Sequence, residues 1–412
     1  MDLKENMNKT FLTIILVVLG LAFVGGCVFA GNRFFMTKAV KGTNDVAAQS
    51  VDSPIADISP TSVATPSISS STSPKPTVSV SASPKPSPTS TPVQAAVASG
   101  PSFSPAFQWG VTMRPNVLGK YSGKTWQQQI DQANNLGVGW ARINWDYDNS
   151  DPAGRNSQII GALKSNGLKT LLVIEHNPNK GNSNLYQQGL DDAKLITGAV
   201  GGNVDYYQLA NEGGAQSLIS GKSGVSPSDF DNTKYTQVRD YIKGLSDGIS
   251  KGDSSAKKIV TISWIHTGFL DRLVADGVNF DMIGIDWYSW MGSFSAKKIN
   301  GTETVYHKLQ TFGKPLTFME VSTMPTAGSD DKHKTNVDEA AQASFLTNTA
   351  NWAWANRNWV KGFYHFELVD NTFSAGYVDY YGLIKANNSG SSATLGGVRQ
   401  AFNAYKDLIK GK

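Results

Sequence analysis

From about residue 107 to residue 412, strand-like runs alternate with helical patterns eight times, and that alternation constrains the fold more than any other feature. The strand-like runs are 108–112 (QWGVT), 140–144 (WARIN), 169–175 (KTLLVIE), 206–210 (YYQLA), 258–263 (KIVTIS), 282–286 (MIGID), 316–319 (LTFM) and 362–366 (GFYHF). Helical patterns fall near 125–136, 154–166, 190–199, 230–251, 268–275, 302–312, 336–357 and 395–409. Ser228 and Asp229 read as start signals for the fourth helix, and Asn336 for the seventh. Alternating β and α elements build a parallel sheet, and eight cycles suffice to close it into a single (β/α)8 barrel, an α/β fold. The rival topology is an open doubly wound sheet. That fold favours a G-x-G-x-x-G turn after its first strand, whereas Met113-Arg114-Pro115-Asn116 stands here.

The preceding sequence is of two other kinds. Residues 1–10 are polar and form the expected cytoplasmic tip. Phe11 to Gly31 is a charge-free apolar run, long enough to cross a bilayer as one helix. It reads as a signal anchor. Val24-Gly25-Gly26-Cys27 also resembles a lipoprotein box, but the apolar run continues past Cys27. Residues 32–104 are expected to be a disordered linker. From about residue 45 this stretch is dominated by Ser, Thr, Ala and Pro, and it lacks the large apolar residues that would offset ordering entropy. The expectation is a stalk that holds residues 105–412 outside the membrane.

Composition narrows the functions. Net charge is only +4 and no long basic run is present, so nucleic acid is not an expected partner. The single cysteine, Cys27, excludes an intrachain disulfide and a cysteine-based zinc site. No metal or other cofactor is expected, and the chain is expected to act as a monomer.

In a (β/α)8 barrel the working face lies at the C-terminal ends of the strands. There the sequence places Arg142-Ile143-Asn144-Trp145-Asp146, Glu175-His176-Asn177, Asn211-Glu212, Trp264-Ile265-His266, Asp286-Trp287-Tyr288, Glu320, and His365-Phe366-Glu367. Strands four and seven face each other across the mouth, so Glu212 and Glu320 can flank one bond. Breaking a glycosidic bond needs one protonated carboxyl to donate to the leaving oxygen. It also needs one carboxylate to attack or stabilise the oxocarbenium-like centre.

Leu209-Ala210-Asn211-Glu212 closing strand four, with Phe318-Met319-Glu320 closing strand seven 108 positions later, resembles clan A of the glycoside hydrolases. The resemblance covers about residues 107–412, and Arg142 and Tyr288 match further positions of that clan. It implies a retaining glycosidase acting on β-linked poly- or oligosaccharide, with Glu212 as acid/base and Glu320 as nucleophile. It further implies that Arg142 and Tyr288 hydrogen-bond Glu320 and that Asn211 meets the sugar 2-hydroxyl. Glu175, His176, His266, Asp286 and Glu367 are expected to contact sugar or orient neighbours. Trp145, Trp287 and Trp290 are candidate stacking faces, while Trp109 and Trp264 lean toward the core. The chain departs from the clan at Gly213-Gly214, where proline is common, and at Tyr364-His365-Phe366-Glu367, where an aromatic platform is usual.

A catalytically inactive barrel that binds wall or capsule polysaccharide is the alternative. An enolase-type lyase would want carboxylates on successive strand ends and a lysine base, which Trp264-Ile265-His266 does not supply. A phosphate-handling barrel would want a glycine-rich loop after strand seven or eight.

Overall fold

The computed structural model of the chain describes residues 106–115, 126–145, 147, 151–175, 183–325, 338–374, 377–388 and 394–412. The expected anchor (11–31) and linker (32–104) lie outside these residues, as do Asp146, His176 and Asn336. Among the described residues no helix is long and apolar enough to cross a membrane.

Eight parallel strands close into one barrel. They are β1 (Gln108–Thr112), β2 (Trp140–Asn144), β3 (Lys169–Ile174), β4 (Tyr206–Leu209), β5 (Lys257–Ser263), β6 (Met282–Tyr288), β7 (Leu316–Ser322) and β8 (Val360–His365). Each strand pairs with its sequence neighbours, and β8 pairs with β1. The outer helices are α1 (Trp126–Leu136), α2 (Pro152–Ser165), α3 (Leu185–Val200), α4 (Asn232–Gly252), α5 (Thr267–Ala275), α6 (Val305–Gln310), α7 (Glu339–Ala355) and α8 (Gln400–Lys410).

The strands read as near-continuous apolar runs because both of their faces are covered, one by the barrel interior and one by helices. Side chains alternate between these faces. Trp140, Leu171, Val173, Tyr206, Ile259, Met282, Met319 and Tyr364 form one buried cluster. They point inward and fill the barrel toward its N-terminal end. The alternate strand residues, such as Ile143, Leu172, Ile262 and Phe318, pack outward in the larger core shared with the helices. One helix pair lies unusually close. A Cβ on Gly189 of α3 would sit 2.4 Å from the Tyr241 carbonyl oxygen, and one on Gly244 of α4 would sit 2.1 Å from that of Tyr186. The two backbones therefore meet where side chains would normally keep them apart.

Several expected boundaries move. Helix α4 is capped by Asp231, whose side chain accepts from the Lys234 amide at 2.9 Å. Ser228 and Asp229 belong instead to a separate short 3₁₀ turn, Pro227–Asp229. The cap of α7 is Asp338, accepting from Ala341 N at 2.8 Å. The last helix starts at Gln400 because Thr394–Val398 pairs as a strand with Ile384–Asn387, and Gly396-Gly397 is a poor helix start. Strands β6 and β7 run two and three residues past their expected ends, because pairing between them continues to Tyr288 and Ser322.

Candidate active site

The polar residues converge at the C-terminal mouth. Strand β7 carries the feature that sets the geometry. Beside β6, Ile285 pairs with Phe318 and Asp286 with Glu320, which leaves Met319 without an opposite residue. Beside β8, Phe363 pairs with Phe318 and His365 with Val321, so the same extra residue appears from the other side. This is a β-bulge, which lets two successive residues face the same way. Met319 packs in the inner cluster and Glu320 also turns into the barrel, where Arg142 reaches it.

Glu320 is 2% exposed. Its Oε1 lies 2.8 Å from Arg142 Nη2, and its Oε2 accepts from the Tyr288 hydroxyl at 2.5 Å. Both oxygens thus face strong donors, the pattern of an ionised carboxylate. Burial and the charge of Glu320 push the Tyr288 hydroxyl well above its usual range, so it remains a donor. Arg142 is itself held as a fork. Its Nε donates to Gln208 Oε1 at 2.9 Å, and Nη1 donates to Thr112 Oγ1 at 3.3 Å. Nη2 also reaches Asn211 Oδ1 at 3.1 Å. Gln208 donates to the same Asn211 oxygen at 2.7 Å. Two donors on Oδ1 fix the Asn211 amide, leaving its Nδ2 as the group that can donate to a ligand.

Glu212 stands one turn beyond β4. Ala210 (φ 62°) and Glu212 (φ 45°) both occupy the left-handed region, which costs roughly 1–3 kcal/mol at a non-glycine residue. The short helix Gly213–Ser217 follows. A Cβ on Gly213 would fall 2.9 Å from Val238 Cγ1 and 3.1 Å from the Phe269 ring, and one on Gly214 would fall 3.3 Å from Phe269. The glycine pair that departs from the clan pattern therefore lets this turn seat against α4 and α5. Ser263 and Asp286 hydrogen-bond the Glu212 carboxyl. Burial first, then the charge of Glu320, push that carboxyl up to about 8. One acid is thus kept protonated at neutral pH beside one that is ion-paired.

The rim completes the picture. Glu175 follows directly on β3, half-buried, and accepts from Asn144 Nδ2 at 3.0 Å. Its depth in the protein raises its carboxyl to about 7, against the pull of Arg114 and Arg142. Glu367 pairs with Arg114 at 2.7 Å, with both side chains buried. Tyr288, Trp290, Phe366 and Tyr381 form an aromatic corner, with Trp290 stacked on Tyr288 at 4.5 Å and 13°. Tyr381 is held there by its loop: Arg399 makes a bidentate pair with Asp370 (2.5 and 2.8 Å) and donates to the Gly382 carbonyl at 2.6 Å.

The expected residues divide accordingly. Glu320, Asn211, Arg142 and Tyr288 form one connected network, Glu212 lies beside it in electrostatic reach of Glu320 and Arg142, and Glu175 and Glu367 stand on its rim. His266 is not part of it. It is 3% exposed, packs edge-on against Phe230, and leaves no room for a side chain at Gly224. Burial drops its imidazole to about 4, so it is neutral. Trp287 is not an open platform either. It is fully buried, stacked on Trp264 and bonded through Nε1 to the Gly292 carbonyl at 2.8 Å. Trp264, expected in the core, is only partly buried and carries Lys297 Nζ 3.7 Å over its ring. Trp145 is buried, and Trp290 alone of the expected stacking residues keeps partial exposure. Sequence reasoning missed Gln208, Ser263, Arg114 and Tyr381. Gln208 and Ser263 carried a signal, as polar residues at inward positions of otherwise apolar strands.

A closed eight-stranded parallel barrel with two opposed glutamates at its mouth is thus the class that fold and site define. No family model matches the chain. No curated protein matches it. Solved structures do match. The family 1 β-glucosidase from Thermotoga maritima is 12% identical, over 75% of this chain and 98% of that one, at a TM-score of 0.53. The Ignisphaera aggregans GH53 catalytic domain is 16% identical at the same coverages and TM-score 0.53. The T. maritima family 1 glycoside hydrolase complexed with a cyclophellitol-analogue transition-state mimic is 14% identical, over 75% and 98%, with a TM-score of 0.54. These likenesses show the (β/α)8 fold, and the neighbours are glycoside hydrolases, as the resemblance implied.

Proposed function

We propose that the protein is a retaining glycosidase that cleaves β-linked poly- or oligosaccharide with Glu212 and Glu320. The observation that carries the reading is the contrast between these two acids across one mouth. Glu320 takes its donors from Arg142 and Tyr288, while Glu212 is raised to about 8. In the first step Glu320 attacks the anomeric carbon while Glu212 gives its proton to the leaving oxygen, so a glycosyl ester forms as the glycosidic bond breaks. In the second, Glu212 takes a proton from water, the water oxygen bonds to the anomeric carbon, and the ester bond to Glu320 breaks. Two inversions give net retention. Asn211 Nδ2 donates to the sugar 2-hydroxyl, and Trp290 offers the stacking face at the rim. No metal enters these steps.

The neighbours named β-glucosidase support a β-configured substrate. The apolar run 11–31 and the Ser/Thr/Pro-rich run 32–104 support a domain displayed on a stalk outside the membrane, acting on external glycan as a monomer. The test is turnover on a panel of β-glucans, mannans, xylans and galactans, with Glu320→Gln as control. Release of sugar by the wild type and not by the variant supports the reading. Equal inertness, with retained binding of one glycan, overturns it.

A further inference from the structure

The mouth holds a third acid that the two-glutamate scheme does not use. Asp286 is 0% exposed, deeper than Glu212 at 7%. On the sheet it lies between Ser263 of β5 and Glu320 of β7, its register partners on either side. Residues paired in this way face the same side, so Ser263, Asp286 and Glu320 form one inward row. Among the described residues, neither oxygen of Asp286 has an N–H or conventional hydroxyl donor. Its partner is the Glu212 carboxyl, a contact between two acids that needs a proton between them.

Charge matching leads to the same arrangement. Among the described residues, the charged and titratable groups facing this row are Arg142 from β2, Glu212 after β4, Tyr288 from β6 and Glu320 from β7, with Glu175 after β3 in electrostatic reach of Glu320. Arg142 is the one cation among them, and it pairs with Glu320. Two buried acids in contact with no cation of their own do not both ionise. The shallower one, Glu212, opens toward the mouth and can exchange its proton with substrate and water.

We propose that Asp286 is a positioning residue for Glu212: it stays a neutral carboxylic acid and donates its hydroxyl to Glu212. This rests on the reading of Glu212 as acid/base. The donated hydrogen bond holds the Glu212 side chain in its strained turn. It also stabilises the carboxylate that Glu212 becomes after protonating the leaving oxygen, so one acid cycles while its neighbour keeps its proton. Burial and the charges of Glu320 and Glu212 push Asp286 well above the usual carboxyl range, in keeping with this division.

The experiment follows the titration of Glu212 by 13C NMR in full-length protein labelled at the glutamate carboxyl carbon, its signal assigned with Glu212→Gln. Asp286→Leu keeps the branched shape and removes the donor. Asp286→Asn keeps a donor and removes the titratable group. The expected result is an upward move of Glu212 by about one pH unit in Asp286→Leu, a tenfold change in its ionisation constant. In Asp286→Asn it stays within about 0.3 unit. The basic limb of kcat/KM moves with it, which a loss of packing alone would not produce. A downward move in both variants would mean that Asp286 is an anion repelling Glu212, and it overturns the proposal. So does no movement in Asp286→Leu. If leucine does not pack, Asp286→Asn decides, because loss of an anion lowers Glu212 there and loss of a neutral acid does not. The titration is read without turnover. Unchanged hydrolysis by Glu212→Gln would remove the acid/base reading separately from this result.

Discussion

Arg142 and Glu320 meet at 2.8 Å with each side chain 2% exposed, and the same guanidinium also holds Gln208, Thr112 and Asn211. One buried cation therefore fixes the Glu320 carboxylate and the Asn211 amide together. Arg142→Met leaves a buried carboxylate without its partner, which costs about 3–5 kcal/mol. A marked fall in Tm, measured by calorimetry, is expected, together with loss of glycoside turnover. Arg142→Lys keeps the charge but not the fork, so it retains more stability and still loses most of kcat.

Removing the Tyr288 hydroxyl tests the other donor to Glu320. A hydrogen bond to a charged group contributes about 1.5–3 kcal/mol. Tyr288→Phe is therefore expected to lower kcat by about 10- to 100-fold in steady-state kinetics on an aryl β-glycoside, and to lower Tm as well, because a buried carboxylate loses a donor. Unchanged kcat would show that this bond does no work in the reaction.

The raised acids predict how stability depends on pH. Glu212 (about 8) and Glu175 (about 7) both sit above the ordinary value of 4.5. Below 4.5 both carboxyls are protonated in the folded and the unfolded chain, so their contribution is fully present. As pH rises from 4.5 toward 8, the unfolded chain ionises first and the contribution is lost. Tm is thus expected to fall between pH 5 and pH 8, and Glu212→Gln or Glu175→Gln should flatten the slope. The basic limb of activity should also lie near pH 8, because the general acid must still hold its proton.

The aromatic residues separate by burial. Trp287→Ala opens a cavity in a fully buried stack and is expected to cost about 3–5 kcal/mol in denaturant titrations. Trp290→Ala removes a half-exposed ring from the mouth, and its effect should appear as a raised KM with most of the stability retained. The opposite pattern would assign the sugar face to Trp287.

Gly213→Ala places a Cβ 2.9 Å from Val238 and 3.1 Å from Phe269. Overpacking of this kind costs about 1–3 kcal/mol. Because the displaced turn carries Glu212, kcat should fall along with Tm.

The barrel was legible in the sequence because each strand is apolar on both faces and each helix interrupts that pattern. Glu212 and Glu320 were legible because each ends such a run in a polar residue. The inward aim of Glu320 was not, since it depends on a bulge seen only when β7 is paired with β6 and β8. Arg114 and Tyr381 were hidden because their partners, Glu367 and the Tyr288 corner, are distant in sequence. Trp264 and Trp287 exchanged places for a related reason. Periodicity tells which side of a strand a ring leaves from, and it does not tell which ring the neighbouring loop will cover.

The central claim is that Glu320 is the nucleophile and Glu212 the acid/base of a retaining pair. The most direct measurement is the configuration of the product that azide releases from the Glu320→Gly variant with an activated β-glycoside, read by NMR. With the carboxylate gone, azide fills its place and attacks from the same face in a single displacement, so an α-glycosyl azide is predicted. A β-glycosyl azide, or full turnover by that variant without azide, would contradict the account.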